Sequence, residues 1–183
     1  MKAALTIPLV VALAACVPTV RRFEAVLAAH DSATQALTEW CGRQGLAPVP
    51  EIRAIADRAT SEAPSAATRK VLGVTAGEPV AFRHVRLVCG DQVLSVAKNW
   101  YVPARLAPEM NRVLETTDTP FGKVVAALDF RRERLTSQRG RTDTCPPDTV
   151  LAQRALLRRS DGLAISMVVE CYTPAILKDH RAG

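Results

Sequence analysis

The chain has 183 residues, 48% hydrophobic and 23% charged, with a formal net charge of +6. That length suits one domain with a substantial core, and that balance excludes a disordered polyelectrolyte. The basic residues are scattered, with short clusters at Arg131-Arg132 and Arg158-Arg159; without an aromatic-interleaved basic stripe, zinc-finger spacing or helix-turn-helix signature they argue against nucleic acid as a partner.

Residues 1–15 carry one early cation, Lys2, and then an apolar run ending Leu13-Ala14-Ala15 before Cys16. The run is too short to span a bilayer as a helix, and its charged start, apolar middle and small end are those of a signal peptide. Leu13-Ala14-Ala15-Cys16 resembles a bacterial lipobox, which implies cleavage before Cys16, lipidation of that cysteine and stable membrane anchoring through its acyl chains. Val17 after the cysteine, in place of Asp, resembles the outer-membrane sorting pattern. The expectation is an exported, periplasm-facing lipoprotein, with residues 17–26 as a tether and the folded domain over residues 27–177. If the first 16 residues are not a working signal, the protein is cytoplasmic. The competing reading is an apolar first helix with a buried Cys16, against which Pro8 and Pro18 stand.

Export permits disulfides among Cys41, Cys89, Cys145 and Cys171, which allow three pairings; four buried free thiols is the other reading. No Cys/His spacing implies a metal, and no cofactor is expected.

Residues 21–44 place Phe23, Val26, Leu27, Ala33, Leu37, Trp40 and Cys41 at helical intervals, with Asp31-Ser32 as a cap between two helices. Gly45 and Pro48-Val49-Pro50 end this hairpin. Residues 51–63 read as strand or short helix, and residues 68–74 lead towards a β-hairpin over residues 82–103. Its two valine- and aromatic-rich runs meet at Gly90-Asp91, a pair suited to a tight turn with positive φ. Residues 104–114 read as a connection with a short helix. Thr119 as N-cap and Pro120 as first helical residue open the next helix, which continues over residues 123–128 and offers first-turn amides to an anion. Residues 130–137 form a charged strand, residues 138–148 a polar loop, and residues 150–158 and 163–173 a second antiparallel pair. Residues 178–183 form a frayed tail.

Side chains alternate along a strand, so Arg83 shares a face with Val85, Leu87 and Cys89, whereas His84 and Arg86 point to solvent. An inward arginine needs an anion or a set of acceptors. Glu170, in the apolar run ISMVVECYTP, shares a face with Val168 and Tyr172 and has the same need. If both charges point into one cavity, Cys89 and Cys171 lie on opposite faces and cannot pair. The two charges are either a structural ion pair or a ligand site, in which the guanidinium grips a carboxylate and the glutamate handles a hydroxyl or a proton.

From about residue 27 to residue 174 the chain resembles the chorismate pyruvate-lyase family. The resemblance rests on HDSAT at residues 30–34, Arg83-x-x-x-Leu87 with a hairpin ending Val102-Pro103, TPFG at residues 119–122, Gln153-Arg154 and Glu170-x-x-x-Pro174. It implies an α+β fold, a six-stranded antiparallel sheet with helices on one side enclosing a ligand pocket, also used as the effector-sensing domain of GntR-like regulators. It implies cofactor-free elimination of pyruvate from chorismate, leaving 4-hydroxybenzoate, a ubiquinone precursor. By the same resemblance Arg83 binds the ligand carboxylate, Glu170 is the acid and hydroxyl partner, and Phe121, Gly122, Ala33 and Arg154 contact the ligand. Phe121 stands where the family usually has leucine and Ala33 where it usually has methionine, so a different ligand is open. So is a lipoprotein that binds a small aromatic carboxylate without turnover, or one whose vestigial pocket leaves it an envelope structural role. A monomer is expected. No serine-nucleophile motif supports a hydrolase.

Overall fold

The computed structural model describes residues 19–178; the segment expected as a signal peptide, Cys16 and the last five residues lie outside them. Helices α1 (Thr19–Ala28) and α2 (Ala33–Arg43) form the expected hairpin, with Ser32 as N-cap of α2 accepting from the Gln35 amide. Most of the segment expected as a tether belongs to α1, which buries Phe23, Val26 and Leu27. Strand β1 (Ile52–Asp57) resolves the strand-or-helix ambiguity, and α3 (Ala66–Leu72) follows between the Ser65 cap and Gly73. Strands β2 (Ala81–Cys89) and β3 (Gln92–Tyr101) make the hairpin. Gly90 alone takes positive φ at its turn (54°), as a two-residue loop with glycine first requires.

Helix α4 (Pro108–Thr116) and the single turn α5 (Phe121–Val124) precede β4 (Arg131–Arg139), β5 (Leu151–Arg158) and β6 (Ala164–Tyr172). The six strands form one antiparallel sheet in the order β1-β2-β3-β6-β5-β4, an α+β architecture. Its two hairpins thus meet along β3 and β6, which brings Arg83 and Glu170 onto one sheet face. In place of the expected helix with Thr119 as N-cap there is the short α5, with Pro120 in the cap position, followed by a 3-10 turn at Ala126–Leu128. The Thr119 carbonyl is instead turned towards the sheet, where it accepts from Arg83.

Helices α1 and α2 pack on one sheet face through Phe23, Leu37 and Trp40 against Leu87 and Tyr172. Phe23 meets Trp40 and Tyr172 edge-on, at 5.2 and 4.9 Å between ring centroids. Burying each such aromatic contributes about 1.5–3 kcal/mol. Tyr101, Leu157, Phe121 and Val125 continue this layer under α4 and α5. Helix α3 covers the opposite face, where Leu72 packs with Trp100, Leu156 and Met167. Disulfides join Cys41 to Cys89 and Cys145 to Cys171, so Cys89 and Cys171 do take separate partners. The edge strand β4 is closed in part by the helical hairpin: Asp31 Oδ1 accepts from the Arg132 amide at 3.1 Å, and Arg139 pairs with Glu24.

Candidate functional site

Between the sheet and the α2 and α5 helices lies a cavity of about 50 Å³ lined by Ala33, Arg83, Phe121, Gly122 and Glu170, five of the six pocket residues named from sequence. Strand register explains the convergence. Arg83 lies opposite Asn99 on β3, Asn99 opposite Val168 on β6, and Ala97 opposite Glu170. Arg83 and Glu170 therefore stand two strands apart and two residues out of step, about 12 Å between Cα atoms from standard strand spacings. They occupy opposite ends of the cavity and are not an ion pair.

Arg83 is 8% exposed. Its two terminal nitrogens donate to the carbonyls of Thr119 and Thr117, both at 3.0 Å, and its Nε is buried with no partner among the described residues. The acceptors that hold it are therefore backbone oxygens of the segment before α5. Burial pushes its pKa below the ordinary guanidinium value, so an anion beside it would be welcome. Asn99, across the strand pair, is 4% exposed. Its Oδ1 accepts from Ser166 Oγ, which turns Nδ2 the other way, and that amide nitrogen is also buried without a partner.

At the far end Glu170 Oε2 accepts from Arg132 Nη2 and, at 3.1 Å, from the Tyr172 hydroxyl. Arg132 Nη2 also donates to Gln153 Oε1 at 2.9 Å, and Gln153 Nε2 to Ser137 Oγ at 3.2 Å. Burial works against the Arg132 charge, but Glu170 and Tyr172 outweigh it and raise its pKa. Burial and the adjacent Glu170 carboxylate drive the Tyr172 phenol well above its usual value, so it stays a donor. Arg132 Nε is a third buried donor with no partner in the wall of the same cavity.

Arg154 is the exception among the named residues. It pairs with Thr136 and Val169, whereas the residue before it, Gln153, pairs with Glu170; alternation therefore sends Arg154 to the opposite sheet face. Arg132 supplies the strand arginine instead. The sequence hid it: in Arg131–Arg134 every side chain is charged, and no apolar alternation marks an inward face. Asn99 was hidden as well: the two-residue turn alone would set Arg83 opposite Lys98, and only a register shift between Leu87 and Val88 brings Asn99 opposite Arg83 on the cavity face.

Gly122 is a close-approach position. A Cβ built on it would lie 2.5 Å from Ser32 Oγ and 3.3 Å from Thr34 Oγ1, so the wall formed by α5 sits directly on the start of α2.

No family model matches the chain. The uncharacterized protein y4mC of Sinorhizobium fredii (strain NBRC 101917 / NGR234) is 40% identical over 171 residues, spanning 82% of this chain and 72% of that protein. The chain belongs to the y4mC family. Among solved structures, the effector domain of PhnF from Mycobacterium smegmatis superposes with a TM-score of 0.57 at 17% identity, covering 78% of this chain and 88% of that one. The longer PhnF structure gives 0.58 at 14% identity over 82% and 67%. At such identities the likeness establishes the fold alone: this member of the y4mC family has the fold of the PhnF effector domain.

Proposed function

We propose that the chain binds a small organic carboxylate in the cavity, with Arg83 Nε and Asn99 Nδ2 donating to the carboxylate oxygens. One observation carries this reading: three buried N–H donors without partners among the described residues, on Arg83, Asn99 and Arg132, belong to residues lining one cavity. Unsatisfied buried donors each cost about 1–3 kcal/mol, a cost that a guest supplying acceptors removes. The buried charges there are two guanidiniums and one carboxylate, a balance that favours a monoanion.

The resemblance to chorismate pyruvate-lyases supplies a second reading, elimination of pyruvate from chorismate to leave 4-hydroxybenzoate. The presence of Arg83 and Glu170 in one cavity favours it. The hydrogen bonding favours binding over turnover: Glu170 Oε2 already receives two donors, an arrangement for an acceptor and not for the acid that must protonate a leaving group. The protein is proposed to act alone, as an exported lipoprotein held by Cys16 and without contact to nucleic acid. Two disulfides within the domain support an oxidising compartment.

The test is a thermal-shift titration of the full chain with a panel of carboxylates, beside incubation with chorismate. A ligand at one hundred times its Kd stabilises by about 2.7 kcal/mol, or roughly 5–11 °C for a domain of this size. Arg83→Met should abolish the shift. Release of pyruvate from chorismate that is lost in Arg83→Met and Glu170→Gln would establish the lyase; no shift with any carboxylate would refute binding.

A further inference from the structure

The cavity that gathers these donors is small for a ring. At about 50 Å³ it holds about three to five waters at ~10–15 Å³ each, and an apolar cavity that takes benzene measures about 150 Å³. Three contacts keep its walls from retreating. Cys41–Cys89 ties α2 to β2, which form two of those walls. Gly122 abuts Ser32 with no room for a methyl group between them. Phe121 is backed by the ring of Tyr101, 5.5 Å away and itself 3% exposed.

We infer that the ligand is a short-chain aliphatic monocarboxylate of about two to four carbons and that Phe121 sets this size limit. The inference rests on the carboxylate-binding reading above. Val85, Leu87, Ala97 and Val168 line the space beside the Arg83–Asn99 donor pair. An inorganic anion has no use for those apolar walls, whereas an alkyl tail fills them and leaves water. The other charge lining the cavity, Asp31, is exposed and already accepts from the Arg132 amide, so it does not oppose an anion inside.

The experiment titrates propionate, pyruvate, benzoate, 4-hydroxybenzoate and inorganic phosphate into the full-length, disulfide-bonded chain, read by calorimetry and thermal shift. Propionate or pyruvate should bind at least tenfold tighter than either benzoate. Phe121→Ala should gain at least tenfold for benzoate, and Phe121→Leu, the milder change if the alanine variant does not fold, a smaller gain in the same direction. Arg83→Met should lose every acid. Benzoate binding the wild type as tightly as propionate, or no gain in either Phe121 variant, overturns the size limit and leaves carboxylate binding standing. Binding of phosphate alone, or of nothing, overturns the carboxylate reading itself.

Discussion

The Arg132–Glu170 pair gives the sharpest test of how the cavity is built. Their side chains are 5% and 7% exposed, so both charges are essentially dry. Removing one partner of such a pair strands the other and costs about 3–5 kcal/mol, whereas replacing both with neutral groups of similar shape is often close to neutral. Arg132→Met should therefore lower the melting temperature by roughly 6–20 °C, at about 2–4 °C per kcal/mol for a domain of this size. Glu170→Gln should lose somewhat less, because the amide oxygen still accepts from the Tyr172 hydroxyl. The double variant should recover most of the loss, its main residual defect being Gln153 Oε1 without its Arg132 donor. Urea unfolding of the four proteins, with disulfides intact, yields the coupling energy directly. Additive losses in the double variant would refute the pairing.

At Gly122, alanine should destabilise by about 1–3 kcal/mol although alanine ordinarily stabilises a helix, because its Cβ would lie 2.5 Å from Ser32 Oγ; a melting temperature at or above the wild type would refute that contact. Asp57 has its pKa pushed down to about 2 by hydrogen bonds from Thr60, first, and His84. A depressed carboxylate contributes stability that is present above the unfolded value of about 3.9 and is lost as pH falls through the folded one. Melting curves of wild type and Asp57→Asn should thus differ above pH ~4 and converge towards about pH 2; parallel curves throughout would exclude the effect. Peptide mapping without reduction should recover the 41–89 and 145–171 links. Deleting each should cost about 4 and about 3.5 kcal/mol in the chain-entropy account, in the order of their 48- and 26-residue separations.

What was legible in the sequence follows from where a period-two pattern had a reference. The 82–103 hairpin had one: Val85 and Leu87 mark the inward face, Gly90 fixes the turn, and Arg83 follows by parity. The apolar neighbours of Glu170 marked it as a buried carboxylate in need of a partner, but β6 is buried on both faces, so its pattern did not say which face Glu170 takes. β4 had no such reference, since only its pairing of Arg132 with Leu157, past a register shift between Arg134 and Thr136, decides which arginine points inward. The TPFG helix start failed for a tertiary reason: the carbonyls of Thr117 and Thr119 are taken by Arg83, which pulls the chain before α5 towards the sheet. Local capping rules cannot register an acceptor claimed from a strand distant in sequence.

Arg105 shows why the Arg83 end of the cavity reads as a ligand site and not as scaffolding. Arg105 is also largely buried, and its terminal nitrogens donate to the carbonyls of Leu72, Gly73 and Ala164 and to the Glu78 carboxylate. It ties the α3 end to the sheet and keeps a carboxylate for its charge. Arg83 has two carbonyls, no carboxylate and an idle Nε. An idle nitrogen is insufficient by itself, for Arg154 has one too, on the other face. The distinguishing feature is conjunction: the idle nitrogen of Arg83, the idle amide of Asn99 directly across the strand, and a hollow bounded by both residues. A fold that needed Arg83 only for cohesion would have no reason to leave those two donors together beside empty space, at a cost of about 1–3 kcal/mol each.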